Sequence, residues 1–178
     1  MIDTGRLTLR GWRAADARAH HALANHPDVV ATLGHGPTPA QSRETVERQQ
    51  AGLAAHGYCF WAAERRADGR VIGWCGLQPL PAAVGGGVEI GWTIAPPLWG
   101  RGYAREAATA VLTHAWKETT LAHVRAVTTP GNTRSRALME RLGLIRLPDG
   151  DFDHPALPPG DPLRRHLTYS IERPDAPV

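Results

Sequence analysis

Val88-Glu89-Ile90-Gly91-Trp92-Thr93-Ile94-Ala95-Pro96-Pro97-Leu98-Trp99-Gly100-Arg101-Gly102-Tyr103-Ala104-Arg105-Glu106-Ala107 holds a strand, a break, a glycine loop and a helix start in one run. Val88, Ile90, Trp92 and Ile94 alternate with Glu89, Gly91 and Thr93, so one strand face is apolar and the other carries a carboxylate. Pro96 and Pro97 end the ladder because neither has a backbone donor. From Gly102 the period changes, and Tyr103, Ala104, Ala107, Ala108, Val111, Leu112, Ala115 and Trp116 line one broad helical stripe. Between strand and helix, small residues let the backbone approach a ligand, and the first-turn amides of a helix have no internal partner. The loop is therefore expected to cradle a phosphate, with Arg101 and Arg105 supplying charge beside it. A lone Gly-x-Gly also fits a plain tight turn. A dinucleotide fingerprint fails at Arg105, with no ribose-binding acid in Thr120 to His123, and no Gly-Lys-Ser/Thr follows to make a nucleotide-triphosphate loop.

Upstream, Arg6-Leu7-Thr8-Leu9-Arg10 alternates with the period of a half-buried strand. A helix is expected over Ala14 to Ala24, stopping before Asn25-His26-Pro27. Thr38-Pro39-Ala40-Gln41 offers a cap, a proline at the first helical position and a capping-box glutamine for a second helix reaching about Ala55. Tyr58 to Glu64 and Val71 to Leu77 read as a hairpin around Asp68-Gly69, and Pro79 to Gly87 as a flexible connection. Downstream, Val124 to Thr129 reads as a strand, Pro130-Gly131 as its break, and Arg134 to Leu142 as a short helix stopped by Gly143. A proline-rich loop, Asp153 to Pro162, precedes a last strand near His166 to Ile171. This order of elements implies an α+β fold, a mixed sheet covered by helices.

The 178 residues suit one domain spanning 1–178, and 42% hydrophobic with 21% charged residues is a globular balance. The N-terminal residues lack a signal-peptide pattern and no apolar run is long enough for a membrane span, so a cytoplasmic protein without membrane association is expected. Cys59 and Cys75 read as buried free thiols. Of the 20 basic residues only Lys117 is not arginine, and arginine's planar fork suits phosphate oxygens. Nucleic-acid binding is not expected, since no finger spacing, RNA-binding signature or basic helix is present. The nine histidines show no His-Glu-x-x-His pattern, and no metal is expected.

The run from Val88 to Ala107 resembles the acetyl-CoA motif of the GNAT superfamily of N-acetyltransferases. Asn132-Thr133-Arg134-Ser135, Leu142-Gly143-Leu144 and Phe152-Asp153-His154-Pro155 extend the likeness over nearly the whole chain, and it is nearest to the branch that acetylates ribosomal-protein N-termini. The resemblance implies a three-layer α/β/α arrangement whose largely antiparallel sheet has six or seven strands. It implies that acetyl-CoA is the cosubstrate, its pyrophosphate on Gly100 and the loop amides of Arg101, Gly102, Tyr103, Ala104 and Arg105. Thr93 and Ile94, at the splayed strand end, would pair with the pantetheine arm, and an amide near Ile94 would polarise the thioester carbonyl. Asn132 would hydrogen-bond pantetheine and Ser135 would assist the leaving thiolate, although both also read as ordinary helix-start residues.

Two positions depart from the family pattern. Trp99 stands where the motif usually opens with Gln or Arg, as is common in this branch, and Met139 stands where many members carry an acid tyrosine. Because an amine must be neutral to attack, a proton acceptor is needed. Glu89 on the polar face of the strand is the candidate, acting through water, with a salt-bridge role as its other reading. Trp12, Phe60, Trp61, Trp74 and Trp92 read as core residues, some of them lining an acceptor cleft. The acceptor, a protein N-terminus or a small-molecule amine, would be chosen by the loops Val30 to Pro37 and Asp153 to Pro162, with His154 shaping the latter. The enzyme is expected as a monomer or homodimer. A noncatalytic acyl-CoA-binding module is the alternative.

Overall fold

The computed structural model describes residues 1–34 and 36–175. They group into two compact units, Met1–Gln78 with Gly91–Val111 and Pro79–Ile90 with Leu112–Val178.

In the first unit, β1 (Ile2–Asp3), β2 (Leu7–Arg10), β3 (Phe60–Arg65) and β4 (Arg70–Pro79) form consecutive antiparallel pairs, with registers Ile2↔Leu9, Leu9↔Ala63 and Trp61↔Cys75. The expected hairpin is present, and Gly69 at φ 67° makes its turn. Next to β4 lies the later half of β5 (Val88–Ile94), and there the Ala95 amide donates to the Ile72 carbonyl at 2.8 Å. The close approach depends on Gly73, since a Cβ at that position would sit 2.0 Å from the Thr93 carbonyl oxygen. Three helices follow one another here: α1 (Ala17–Ala24), α2 (Pro27–Leu33) and α3 (Pro39–His56). The Thr38–Gln41 capping box forms as the residue types dictate, and Gly57 at φ 77° ends α3. Trp12, Ala17, Val46 and Ala62 make a buried cluster, with Val71 and Trp74 packed on it.

The segment Val30 to Pro37, expected as a loop, is corrected in its first half. Val30 to Leu33 belong to α2, which starts at Pro27 with the His26 ring nitrogen accepting the Asp28 amide and ends at Gly34, φ 90°. The same proline that stops α1 is the first residue of α2, a position where its missing donor costs nothing. His35 lies outside the described residues.

A second departure concerns charge. Leu7 and Leu9 are fully buried as expected, but Arg10 is also buried, its guanidinium forking onto Asp16 at 2.7 and 3.1 Å and its Nε on Glu64 at 2.6 Å. A buried guanidinium is tolerated only when paired in this way.

In the second unit, the start of β5 runs parallel to β6 (His123–Thr128) with the register Glu89↔Arg125, and β6 pairs antiparallel with β9 (Arg165–Glu172) from His123↔Glu172 to Thr128↔Leu167. Two short strands, β7 (Ile145–Arg146) and β8 (Phe152–Asp153), also pair with β9. Counting these and β1, nine strands occur among the described residues, where six or seven were expected. The three extra pieces are two residues each, too short for any alternation to register. Helix α5 (Thr133–Arg141) follows β6. Helix α4 (Tyr103–Glu118) and strand β5 each run from one unit into the other. The only parallel register among the described strands joins β5 to β6, so the architecture is α+β, mixed and mostly antiparallel.

Candidate active site

The residues expected to form a cradle lie within the first unit. Because Ala95 donates to β4, strand alternation turns the Ile94 amide toward the opposite edge of β5. The Ile94 carbonyl accepts the Trp99 indole N–H at 2.6 Å, which ties the strand end to the loop. A short 3-10 turn, Pro96–Leu98, reverses the chain. Gly100 and Gly102 then adopt φ of 75° and 82°, while Arg101 between them does not have positive φ. Both glycines thus occupy the left-handed region that they enter without strain, an alternation that favours an anion-binding nest, and the Arg101 amide between them donates to the Leu98 carbonyl at 3.4 Å.

The first intrahelical bond of α4 runs from the Glu106 amide to the Gly102 carbonyl at 3.0 Å. The amides of Tyr103, Ala104 and Arg105 precede it, so no helical carbonyl takes them. Arg101 and Arg105 are exposed. A Cβ at Gly100 would meet nothing within 4 Å, so that side of the loop is open. Two positive-φ glycines, orphan amides and flanking guanidinium groups together fit a pyrophosphate, as a plain turn would not require.

A group of contacts not anticipated from sequence lies beside the loop. Arg6 Nε donates to Glu106 Oε2 at 2.6 Å, the Arg6 amide to Glu106 Oε1 at 2.7 Å, and the Thr4 hydroxyl to the same Oε1 at 2.6 Å. Arg6 Nη1 reaches the Arg101 carbonyl at 2.9 Å, and its guanidinium lies 4.3 Å from the centre of the Tyr103 ring. Burial acts to raise the Glu106 carboxyl, but the bonds from Thr4 and Arg6 outweigh it and leave the group below its ordinary range. The signal in the sequence was Glu106 itself, an acid in the first turn of a helix expected to hold an anion.

Gly91 and Phe60 also meet in this unit. A Cβ on Gly91 would stand 2.8 Å from Phe60 Cζ, so the ring covers the strand on the face shared by Gly91 and Thr93. Trp12 and Trp61 are buried core residues as expected, whereas Phe60, Trp74 and Trp92 are half-buried.

The remaining candidates belong to the second unit. Glu89 is half-buried opposite Arg125, whose Nη1 donates to the Gly85 carbonyl at 2.5 Å. Asn132 caps α5, its Oδ1 accepting the Ser135 amide at 3.2 Å, which leaves the two side-chain N–H donors for another partner. Ser135 is half-buried in the first turn of that helix, and Met139, one turn on, is buried. His154 packs against His166 at the β8 end, ring centres 5.4 Å apart.

Comparison with known proteins gives a consistent picture. A family model described as "Acetyltransferase (GNAT) domain" matches residues 6–145. The uncharacterized protein YkkB of Bacillus subtilis is 33% identical over 144 residues, covering 80% of this chain and 84% of that protein. FsC-acetyl coenzyme A-N(2)-transacetylase of Aspergillus fumigatus is 32% identical over 157 residues, covering 83% of this chain and 65% of that protein. Among solved structures, an acetyltransferase of the GNAT family from Bacillus anthracis superposes with a TM-score of 0.79 at 25% identity, covering 97% of this chain and 98% of that one. No helix among the described residues is long and apolar enough to cross a membrane.

Proposed function

Since the chain belongs to the GNAT acetyltransferase family and is an acetyl-CoA-dependent N-acetyltransferase, we propose that residues 1–178 act as one domain that acetylates a primary amine by direct attack. The observation that carries this reading is the nest of Gly100 and Gly102 opening onto the uncapped amides of α4, directly after the strand end at Ile94. It supports seating the pyrophosphate on Gly100 to Arg105 and the pantetheine arm along Thr93 and Ile94.

In the proposed reaction the neutral amine attacks the thioester carbonyl, forming the C–N bond, and as the C–S bond breaks the proton shed by the nitrogen passes to the departing CoA thiolate. The Ile94 amide stabilises the oxyanion, a fixed donor that needs no reorganisation as charge develops. Glu89 takes the ammonium proton through water, Asn132 holds the pantetheine amide, and Ser135 supports the departing thiolate. With Met139 in place of a tyrosine, no phenol on α5 protonates that thiolate.

The motif resemblance supports a protein N-terminal α-amino group as the acceptor. A second reading, a small-molecule amine, draws on the 32% identity to FsC-acetyl coenzyme A-N(2)-transacetylase. An acceptor panel of N-terminal peptides, lysine peptides and small amines, with CoA release as the readout, separates these classes. Glu89→Gln tests the base: activity is expected to fall ~10²-fold, the lower end of what a positioned base contributes. Wild-type rates for this variant across pH would remove Glu89 from the mechanism.

A further inference from the structure

We propose that Arg6 is a positioning residue for the cofactor cradle, one that turns the Glu106 carboxylate away from the pyrophosphate and fixes the Arg101 carbonyl behind the loop. This rests on reading Gly100 to Arg105 as the pyrophosphate site. Helix α4 presents its uncapped amides to an anion, yet Glu106 stands in its first turn, immediately after Arg105. A carboxylate there competes with a phosphate for the same positive end of the helix. The contacts show how the competition is removed. Oε1 of Glu106 accepts the Thr4 hydroxyl and the Arg6 amide, Oε2 accepts Arg6 Nε, and so both oxygens are drawn to the Thr4-Gly5-Arg6 turn.

The same guanidinium donates through Nη1 to the Arg101 carbonyl. Within one peptide unit carbonyl and amide are antiparallel, so holding that carbonyl toward Arg6 orients the Gly102 amide away from it. The face of Tyr103 supports the group from a third side. Arg6 is 47% exposed, and an exposed ion pair adds little to stability. A residue that spends its donors on both a first-turn acid and a loop carbonyl is better explained by the loop it organises than by the fold it stabilises. Lysine cannot replace it, because a single ammonium lacks the planar fork that reaches two acceptors at once.

The test compares calorimetric binding of acetyl-CoA with that of S-acetylpantetheine, which lacks the pyrophosphate. Arg6→Gln is expected to weaken acetyl-CoA binding about tenfold, the scale of one lost charge-assisted contact, and to leave S-acetylpantetheine binding as in wild type. Adding Glu106→Gln removes the uncompensated acid, so the double variant should bind acetyl-CoA more tightly than Arg6→Gln alone. Arg6→Lys should fall between wild type and Arg6→Gln. Equal losses for both ligands would mark a general folding defect and overturn the proposal. So would an Arg6→Gln protein that binds acetyl-CoA like wild type, or a double variant no better than the single. If wild type itself binds both ligands equally, the pyrophosphate assignment fails, a result distinct from the failure of Arg6 alone.

Discussion

Gly100→Ala discriminates between a loop that needs its backbone shape and one that merely tolerates glycine. Gly100 has φ 75° and no atom within 4 Å of an added Cβ, so the substitution introduces backbone strain without a clash. Holding an L-residue in that region costs roughly 1–2 kcal/mol, which lowers the melting temperature by about 2–4 °C per kcal/mol in a domain of this size. Gly131 is the matched control: it is an exposed turn glycine outside the positive-φ region, and a Cβ there also meets nothing within 4 Å. Gly131→Ala should stabilise the chain by about 0.4–1 kcal/mol, because it restricts the unfolded ensemble only. The loop at Gly100 has one escape, which is to flip to negative φ and recover stability. In doing so it would break the bond from the Arg101 amide to the Leu98 carbonyl, displace the loop that leads into the α4 amides and weaken acetyl-CoA binding. Differential scanning fluorimetry and calorimetric titration therefore read one alternative each. A Gly100→Ala protein with both wild-type melting and wild-type acetyl-CoA affinity would refute the nest.

Two further outcomes follow from ring packing. His20 lies between Trp12 and Trp74, ring centres 5.6 and 5.0 Å away, and burial, followed by the charges of Arg48 and His21, pushes its pKa down to about 4. Its folded pKa is below the unfolded value, so its contribution is fully present above about pH 6.5 and is lost as pH falls toward 4, amounting to about 3 kcal/mol. His166 shifts in the same direction, so the informative measurement is the difference in urea-unfolding stability between wild type and His20→Leu at pH 7 and 4.5. A difference independent of pH would contradict the assignment. Gly91→Ala forces a Cβ to 2.8 Å from the Phe60 ring and should cost about 1–3 kcal/mol as overpacking, most of it relieved in a Phe60→Leu background. An unchanged cost in that background would show that the ring does not set the constraint.

The parts of the fold legible in the sequence are those whose cause is local. β5 was read from Val88 to Ile94 and occurs there because alternation and Pro96 are both contained in the segment. The start of α3 was read from Thr38, Pro39 and Gln41, which make their bonds to one another. The short strands β1, β7 and β8 are not legible, since each is two residues long, too short to show alternation, and exists only through pairing with another strand. Helix α2 carries its own signal in Pro27 and Asp28, but the proline that opens it is also the one that stops α1, so a single residue gives two opposite signals. Arg10 looked like the solvent half of an alternating strand. Its burial depends on Asp16 and on Glu64, 54 positions away, which no local pattern reveals.

The same distinction explains the site. A phosphate cradle made from main-chain amides needs little from side chains beyond glycine where φ must be positive, so its residues are adjacent and the motif announces it. What keeps the amides usable is assembled from far apart. Arg6 meets Glu106 across 100 positions, and the Trp99 indole, at the place where the motif departs from the commoner Gln or Arg, clamps the Ile94 carbonyl. That departure thus acquires a physical role: an indole N–H occupies the last strand carbonyl, on the same edge of β5 as the Ile94 amide, and fixes the strand end against the loop. Acceptor choice is further still from local pattern. The half-buried Phe60 ring, whose position over Gly91 is set by neighbouring strands, is the residue whose part in that choice can be tested directly. Changing that ring should alter which amines are accepted before it alters acetyl-CoA affinity, and parallel measurement of KM for donor and acceptor in Phe60→Leu decides whether the two halves of the site are separable.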